Sequence, residues 1–467
     1  MERPCAWKAY DDAATAELEE LCSKYRAFIS ENKTERECAA AAIELAEKVG
    51  YRSLDEAVRD GRTLVPGDKV WACDHGKAVI LVQLGRAPLA EGANILGAHI
   101  DSPRLDLKQN PLYESNGFAF LDTHYYGGIK HYQWVTLPLA LHGVIAKKDG
   151  SVVEVRLGEE PGDPVFCVTD LLPHLGNQQM GKKASEVVEG EALDVLVGNR
   201  PAAGSADDSE DKKDPVKAHI LSLLSDAYGI DEEDFLSAEI EVVPAGRARD
   251  CGFDRSMVIG YGQDDRVCAY TSLVAQLALA DEVPERTAVT VLVDKEEIGS
   301  VGATGMASQF FENTMAEVMA LAGEAGALPL RRALKACRML SSDVSAGFDP
   351  AYASVFETKN SAYLGRGLVF NKYTGARGKS GSNDASAEYM ARVRRVMDDA
   401  GVAFQTAELG RVDAGGGGTI AYLPAKYGMD VIDSGVAVLS MHSPWEVTSK
   451  ADIHEARKGY EAFLRNA

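Results

Sequence analysis

The stretch Thr287-Ala288-Val289-Thr290-Val291-Leu292-Val293-Asp294-Lys295-Glu296-Glu297-Ile298-Gly299-Ser300 constrains this chain more than any other. A short apolar, β-branched run ends abruptly in charged residues and a glycine. Such a run reads as a strand buried on both faces, the kind an α/β sheet contains. Side chains alternate across a strand, so adjacent carboxylates at its mouth are expected to point in different directions. One can then hold a metal ion while the other faces a bound water. Acids also mark the solvated ends of ordinary strands, so the pair acquires meaning only from partners elsewhere.

Partners are present. Residues 94–101 form another apolar run, which ends in His99 and Asp101 before Ser102-Pro103 stops it. Residues 337–343 read as a strand closing on Asp343, and 435–442 as one closing on His442. The pair Asp264-Asp265 precedes a helix expected over 272–280. In open α/β sheets, ligands bind at the carboxyl ends of the strands. Histidines and carboxylates gathered there from several strands build a hydrolytic metal site. Mixed nitrogen and oxygen ligands suit zinc or cobalt, and the carboxylate-rich share also admits manganese. The run Gly415-Gly416-Gly417-Gly418 after Asp413 offers close approach to a substrate backbone or a simple turn. Gly378-Lys379-Ser380-Gly381 lacks the first glycine and preceding strand of a phosphate-cradling loop.

The remaining sequence supplies the frame. Helices are expected over 12–29 and 34–50, the second with Thr34 as N-cap and Glu37 three residues on. Further helices are expected over 308–321, 387–399 and 452–465, with strands over 69–71 and 78–83. Between residues 104 and 243 the texture turns β-rich, with strands expected over 133–141, 144–146 and 151–157. The small, charged stretch 200–214 reads as a mobile loop. A chain of 467 residues is long enough for two domains. The pattern predicts a catalytic α/β domain, a mixed sheet flanked by helices, formed by 1–103 plus 244–467. A β-rich domain, 104–243, is inserted into it for dimerisation or assembly. The net charge of −22 argues against nucleic acid and anionic membranes as partners. Eight scattered cysteines without a Cys-x-x-Cys pair suggest buried thiols in a reducing compartment. No apolar leader follows Met1 and no run reaches the length of a membrane span, so a cytoplasmic location is expected.

Five motifs in order resemble the aspartyl aminopeptidase family of dinuclear zinc aminopeptidases. They are Gly97-Ala98-His99-Ile100-Asp101-Ser102-Pro103-Arg104, Gly262-Gln263-Asp264-Asp265-Arg266, Asp294-Lys295-Glu296-Glu297-Ile298-Gly299-Ser300, Ser341-Ser342-Asp343 and Ser440-Met441-His442-Ser443. The resemblance covers nearly the whole chain. It implies two zinc ions per chain, with cobalt or manganese as alternatives. One would be held by His99 and Asp343 and the other by Glu297 and His442, with Asp264 bridging and Asp265 as the fallback. Related peptidases often carry a cis peptide bond after that bridging acid. Glu296 would be the general base, and Asp101 would fix the His99 tautomer.

The implied activity is removal of N-terminal residues from peptides with a free amine, by a homo-oligomer that is often a dodecamer in this family. Lys372 sits where a pocket lysine for acidic residues is expected, with Arg377 and Lys379 as rivals. His174 resembles a residue offered to a neighbouring subunit, and Gly418 would border the substrate. The segment Ser345-Ala346-Gly347-Phe348-Asp349-Pro350 lacks the histidines that better-known members place there, so an acidic or a broad preference remains open. Two alternatives also stay open at this stage: a metal-dependent deacylase of amino-acid amides, and a peptide-binding scaffold without activity.

Overall fold

The computed structural model describes residues 4–202 and 214–467, so most of the 200–214 stretch lies outside the described residues. Its contacts divide the chain into two compact units. The first comprises Met1–Ser102, Ala248–Met441 and Glu446–Ala467, and the second Pro103–Arg247 with His442–Trp445.

The first unit is built on a nine-stranded mixed sheet. Its order is Arg52–Ser53, Lys69–Asp74, Ala78–Gln83, Thr287–Val293, Ala93–His99, Arg338–Ser342, Asp430–Gly435, Leu368–Asn371 and Phe404–Thr406. The four central strands, from Thr287–Val293 to Asp430–Gly435, run parallel. Thr287–Val293 and Ala93–His99 are buried at every position, which is why neither shows an apolar–polar alternation. Alternate residues feed two cores. Leu81, Leu96, Ala98 and Leu292 pack under the helices Asp12–Glu31, Gln263–Leu277 and Lys450–Asn466. Ile80, Ile95, Val291 and Met339 pack against Phe310–Leu321 and Ala327–Ala336 on the other face. The unit is therefore a helix–sheet–helix sandwich. A five-stranded sheet, including Met257–Gly260, Glu446–Ser449 and Ala437–Leu439, completes it.

The helix expected after Thr34 spans Glu35–Lys48, and Thr34 and Glu37 form the reciprocal capping box. Two expectations for this unit need correction. The helix expected over 272–280 starts much earlier, at Gln263, and ends at Leu277. The strand expected over 435–442 is two: Asp430–Gly435 ends in the main sheet, and Ala437–Leu439 joins the small one. Ser440 and His442 follow with φ of 59° and 63°, backbone that cannot continue a ladder.

The second unit is a six-stranded antiparallel sheet ordered Val152–Leu157, Leu139–Ala146, Ala238–Pro244, Arg104–Ser115, Phe118–Tyr126 and Val195–Gly198. The helix Pro215–Tyr228 belongs to the same unit. The strand expected over 133–141 starts only at Leu139, because Thr136 takes φ 61° and Pro138 has no N–H to give a ladder. Among the described residues no helix is long and apolar enough to cross a membrane. All eight cysteines are free thiols, four buried and four half-buried.

Candidate active site

The central parallel strands bring their carboxyl ends together. Val293 is in register with His99, and Ser341 with Gly97, so the residues that follow each strand emerge at one edge. His99 is 1% exposed. Its Nε2 lies 3.3 Å from Asp264 Oδ1, 3.9 Å from Asp343 Oδ1 and 4.0 Å from Glu296 Oε2. Three overlapping groups have ligand atoms mutually within 4.8 Å: His99–Asp264–Glu297, His99–Glu296–Asp343, and Asp264–Asp265–Asp343.

Glu296 and Glu297 are not on the strand itself. Lys295 takes a left-handed conformation (φ 68°) and turns the chain into a 3₁₀ segment, Glu296–Ile298, closed by Gly299 at φ 98°. The two carboxylates thus diverge through a tight turn rather than through strand alternation. Asp101 holds that turn: its Oδ1 accepts from the Glu296 N–H and its Oδ2 from the Glu297 N–H, each at 3.2 Å. His99 Nδ1 lies 3.0 Å from the Asp101 carbonyl and 3.2 Å from Asp101 Oδ1. One fully buried carboxylate therefore orients the imidazole and both glutamates.

Asp264 opens the buried helix Gln263–Leu277 with non-helical backbone, and the Asp264–Asp265 peptide bond is cis. Its N–H donates to Glu446 Oε2 at 3.0 Å, and its carbonyl accepts from Ser102 Oγ at 2.7 Å. Glu446 and Ser102 escaped the sequence reading. Ser102 was visible only as a strand terminator, and Glu446 carries no local signal at all.

Electrostatically the cluster suits a cation. Burial raises the Asp265 carboxyl well above its usual range, and the Asp264 charge adds to the shift. Burial does the same to Asp343, reinforced by Glu296. Burial opposes protonation of His99, yet Asp101 and Asp264 hold its pKa well above the ordinary value. Carboxylates crowded out of water repel one another, and a divalent ion between them removes both penalties. His99 Nε2, which makes no hydrogen bond within this carboxylate ring, is the matching nitrogen ligand. The donor set fits zinc.

Five further expected residues are His442, Lys372, Arg377, Gly418 and His174. His442 belongs to the His442–Trp445 piece of the second unit and joins none of the three groups; its Nδ1 is 2.8 Å from the Gly128 carbonyl. Lys372 is exposed and paired with Asp384, which also accepts from Lys379 at 3.0 Å. The Arg377 side chain lies outside the described residues. Gly418 is exposed, and a Cβ there would meet nothing within 4 Å, so packing does not demand glycine at that position. His174 is exposed on the 3₁₀ turn Pro173–Leu175 of the second unit.

Comparison with known proteins gives the family of the chain. The aminopeptidase I zinc metalloprotease (M18) family matches residues 28–464. A probable M18 family aminopeptidase 1 from Clostridium acetobutylicum is 59% identical over 461 residues, covering 99% of this chain and 98% of its own. The crystal structure of an M18 aminopeptidase from Thermotoga maritima superposes with a TM-score of 0.93 at 42% identity, over 100% of both chains. The mApe1 dodecamer of S. cerevisiae shares the fold at 20% identity, with a TM-score of 0.77 over 95% of this chain and 96% of its own. The chain belongs to the M18 family of zinc aminopeptidases, hydrolases that remove N-terminal residues from peptides.

Proposed function

We propose that this aminopeptidase works with two divalent cations, zinc first among them, with cobalt or manganese as substitutes. His99 and Asp343 would hold one, Glu297 and His442 the other, and Asp264 would bridge them. The observation that carries this reading is the overlap of the three ligand groups, in which Asp264 is common to the Glu297 and Asp343 sides. For His442, the Gly128 carbonyl engages Nδ1 as a donor, so Nε2 is the lone-pair nitrogen a metal would take. When bound, the ions supply Lewis-acid polarisation of the scissile carbonyl and acidify water. Glu296 would take the proton of the attacking water and return it to the leaving amine.

A second assignment is favoured by one contact set: Glu296 also groups with His99 and Asp343, so the two glutamates could exchange roles. Glu296→Gln and Glu297→Gln separate the two. The expected result is unchanged metal content with turnover reduced by about 10²–10⁴-fold for Glu296→Gln, and loss of about one ion per chain for Glu297→Gln. Elemental analysis showing the reverse would exchange the roles.

Peptides with free N-termini are the proposed substrates, trimmed with a broad preference in which acidic residues are not privileged. Support comes from Lys372, whose ammonium is engaged by Asp384, a carboxylate it shares with Lys379. Chromogenic aminoacyl substrates, assayed with zinc, cobalt and manganese after metal removal, test preference and cofactor together. The proposed working form is a closed homo-oligomer, a dodecamer by likeness to mApe1, in a reducing, cytoplasmic compartment consistent with eight free thiols.

A further inference from the structure

The first unit carries a recess of about 760 Å³ beside the edge strand Phe404–Thr406. Its walls are the Thr358–Arg366 side of the chain and the helix Ala387–Asp399, from which Met390 and Arg394, one turn apart, face the same way. Buried Phe404 contributes the apolar floor.

Three cations line this recess: Lys359, Arg366 and Arg394. Among the described residues none of them makes an ion pair. A buried and a half-buried cation elsewhere in the chain are matched by carboxylates, in a protein of net charge −22. Lys450 meets Glu19 and Asp250, and Arg465 meets Glu282 and Glu461. Arg366 is half-buried and its guanidinium lies 4.5 Å from the Tyr363 ring centroid, a stacking that orders it at the wall. The neighbouring polar groups have other duties: Tyr363 Oη donates to the Thr358 carbonyl, and the Gln405 amide is bonded to the Tyr363 backbone. The Ser361 hydroxyl donates to the Glu357 carbonyl, which leaves the three cations and the hydroxyls of Thr358 and Thr406 as the side-chain donors lining the recess.

We propose that this recess is a binding site for a small oxyanion with two or more negative charges, carried on phosphate or carboxylate groups. Guanidinium groups recognise both in bidentate fashion. A concave site with an apolar floor suits a compact ligand, and the strongly negative chain disfavours an extended nucleic acid.

Calorimetric titration of the full-length, metal-loaded protein at about 0.15 M salt tests this with two probes. One is inorganic phosphate; the other is N-acetyl-Asp-Asp, whose blocked amine protects it from trimming. Saturable binding of at least one probe is expected, weakened about tenfold or more in Arg366→Gln/Arg394→Gln. Lys24→Gln, which removes a distant exposed cation, should leave it unchanged. Binding of phosphate alone would assign phosphate as the recognised group, and binding of the peptide alone would assign carboxylate. Arg394→Gln, at an exposed position, should hydrolyse aminoacyl substrates at the native rate, so a lost site is not a lost fold. Affinity in the double variant within twofold of native would overturn the proposal, as it would reassign the heat to the metal centre. Absence of saturable binding by either probe would overturn it too, as would a changed oligomeric state without anion binding.

Discussion

At the scale of the residue, the site turns on one buried carboxylate that holds its neighbours in place. Asp101 accepts from two successive backbone N–H groups and lies against His99 Nδ1, so it joins the strand Ala93–His99 to the turn after Thr287–Val293. Asp101→Ala should weaken metal binding by about 10–100-fold, measured by competition with a chelator, while far-UV circular dichroism stays native. Native metal affinity in that variant would reduce Asp101 to a strand-end cap. Glu296, Glu297, His99 and Asp343 could be picked from the sequence because metal-capable groups ended several apolar runs. Ser102 and Glu446 could not, since each acts on the backbone of Asp264 and nothing in their local sequence records that distant contact.

At the scale of the element, a buried acid couples a helix to a strand. Asp452, in the first turn of Lys450–Asn466, accepts from the Gly365 N–H at 2.8 Å and the Gly367 N–H at 2.6 Å, just before Leu368–Asn371. Burial raises its pKa from 3.8 to about 7, against the lowering effect of those two donors. The folded state therefore keeps a proton that the unfolded chain releases. This contribution is fully present below about pH 4 and is lost as pH rises through the folded value. The slope cannot exceed about 1.4 kcal/mol per pH unit. Asp452→Asn carries no such proton, so its urea midpoint should fall less than the native one between pH 5 and pH 7.5. Equal losses in the two proteins would show that Asp452 is ionised in the fold.

Elements with a polar face were legible: the capping box at Thr34 and Glu37 announced its helix, and Ala387–Asp399 begins and ends where periodicity places it. The start of Gln263–Leu277 was hidden because residues 263 to 273 are buried on every side. A helix without a solvated face has no period to read.

At the scale of the whole molecule, assembly is the open variable. In the second unit the segment around His174 exposes Leu171, Leu172, Leu175 and Met180, with Leu175 at 68% and Met180 at 78%. Apolar side chains so exposed mark a surface that another chain can cover. Leu175→Glu/Met180→Glu should shift the protein toward smaller species in mass photometry, with the thermal midpoint of the smallest species close to native. An unchanged mass distribution would remove this surface from the assembly.

The α/β class, the strand ends and the chemical character of the site residues were determined by the sequence alone, because they rest on local pattern and side-chain chemistry. The order of nine strands, the 3₁₀ turn that parts Glu296 from Glu297, and the service of Ser102 and Glu446 to Asp264 were decided by the tertiary structure. So was the break that leaves His442 beyond the strand once drawn through it. The reason is physical. Residues far apart along the chain become neighbours only when burial and hydrogen bonding between whole elements set the register, and no local window of sequence carries that information.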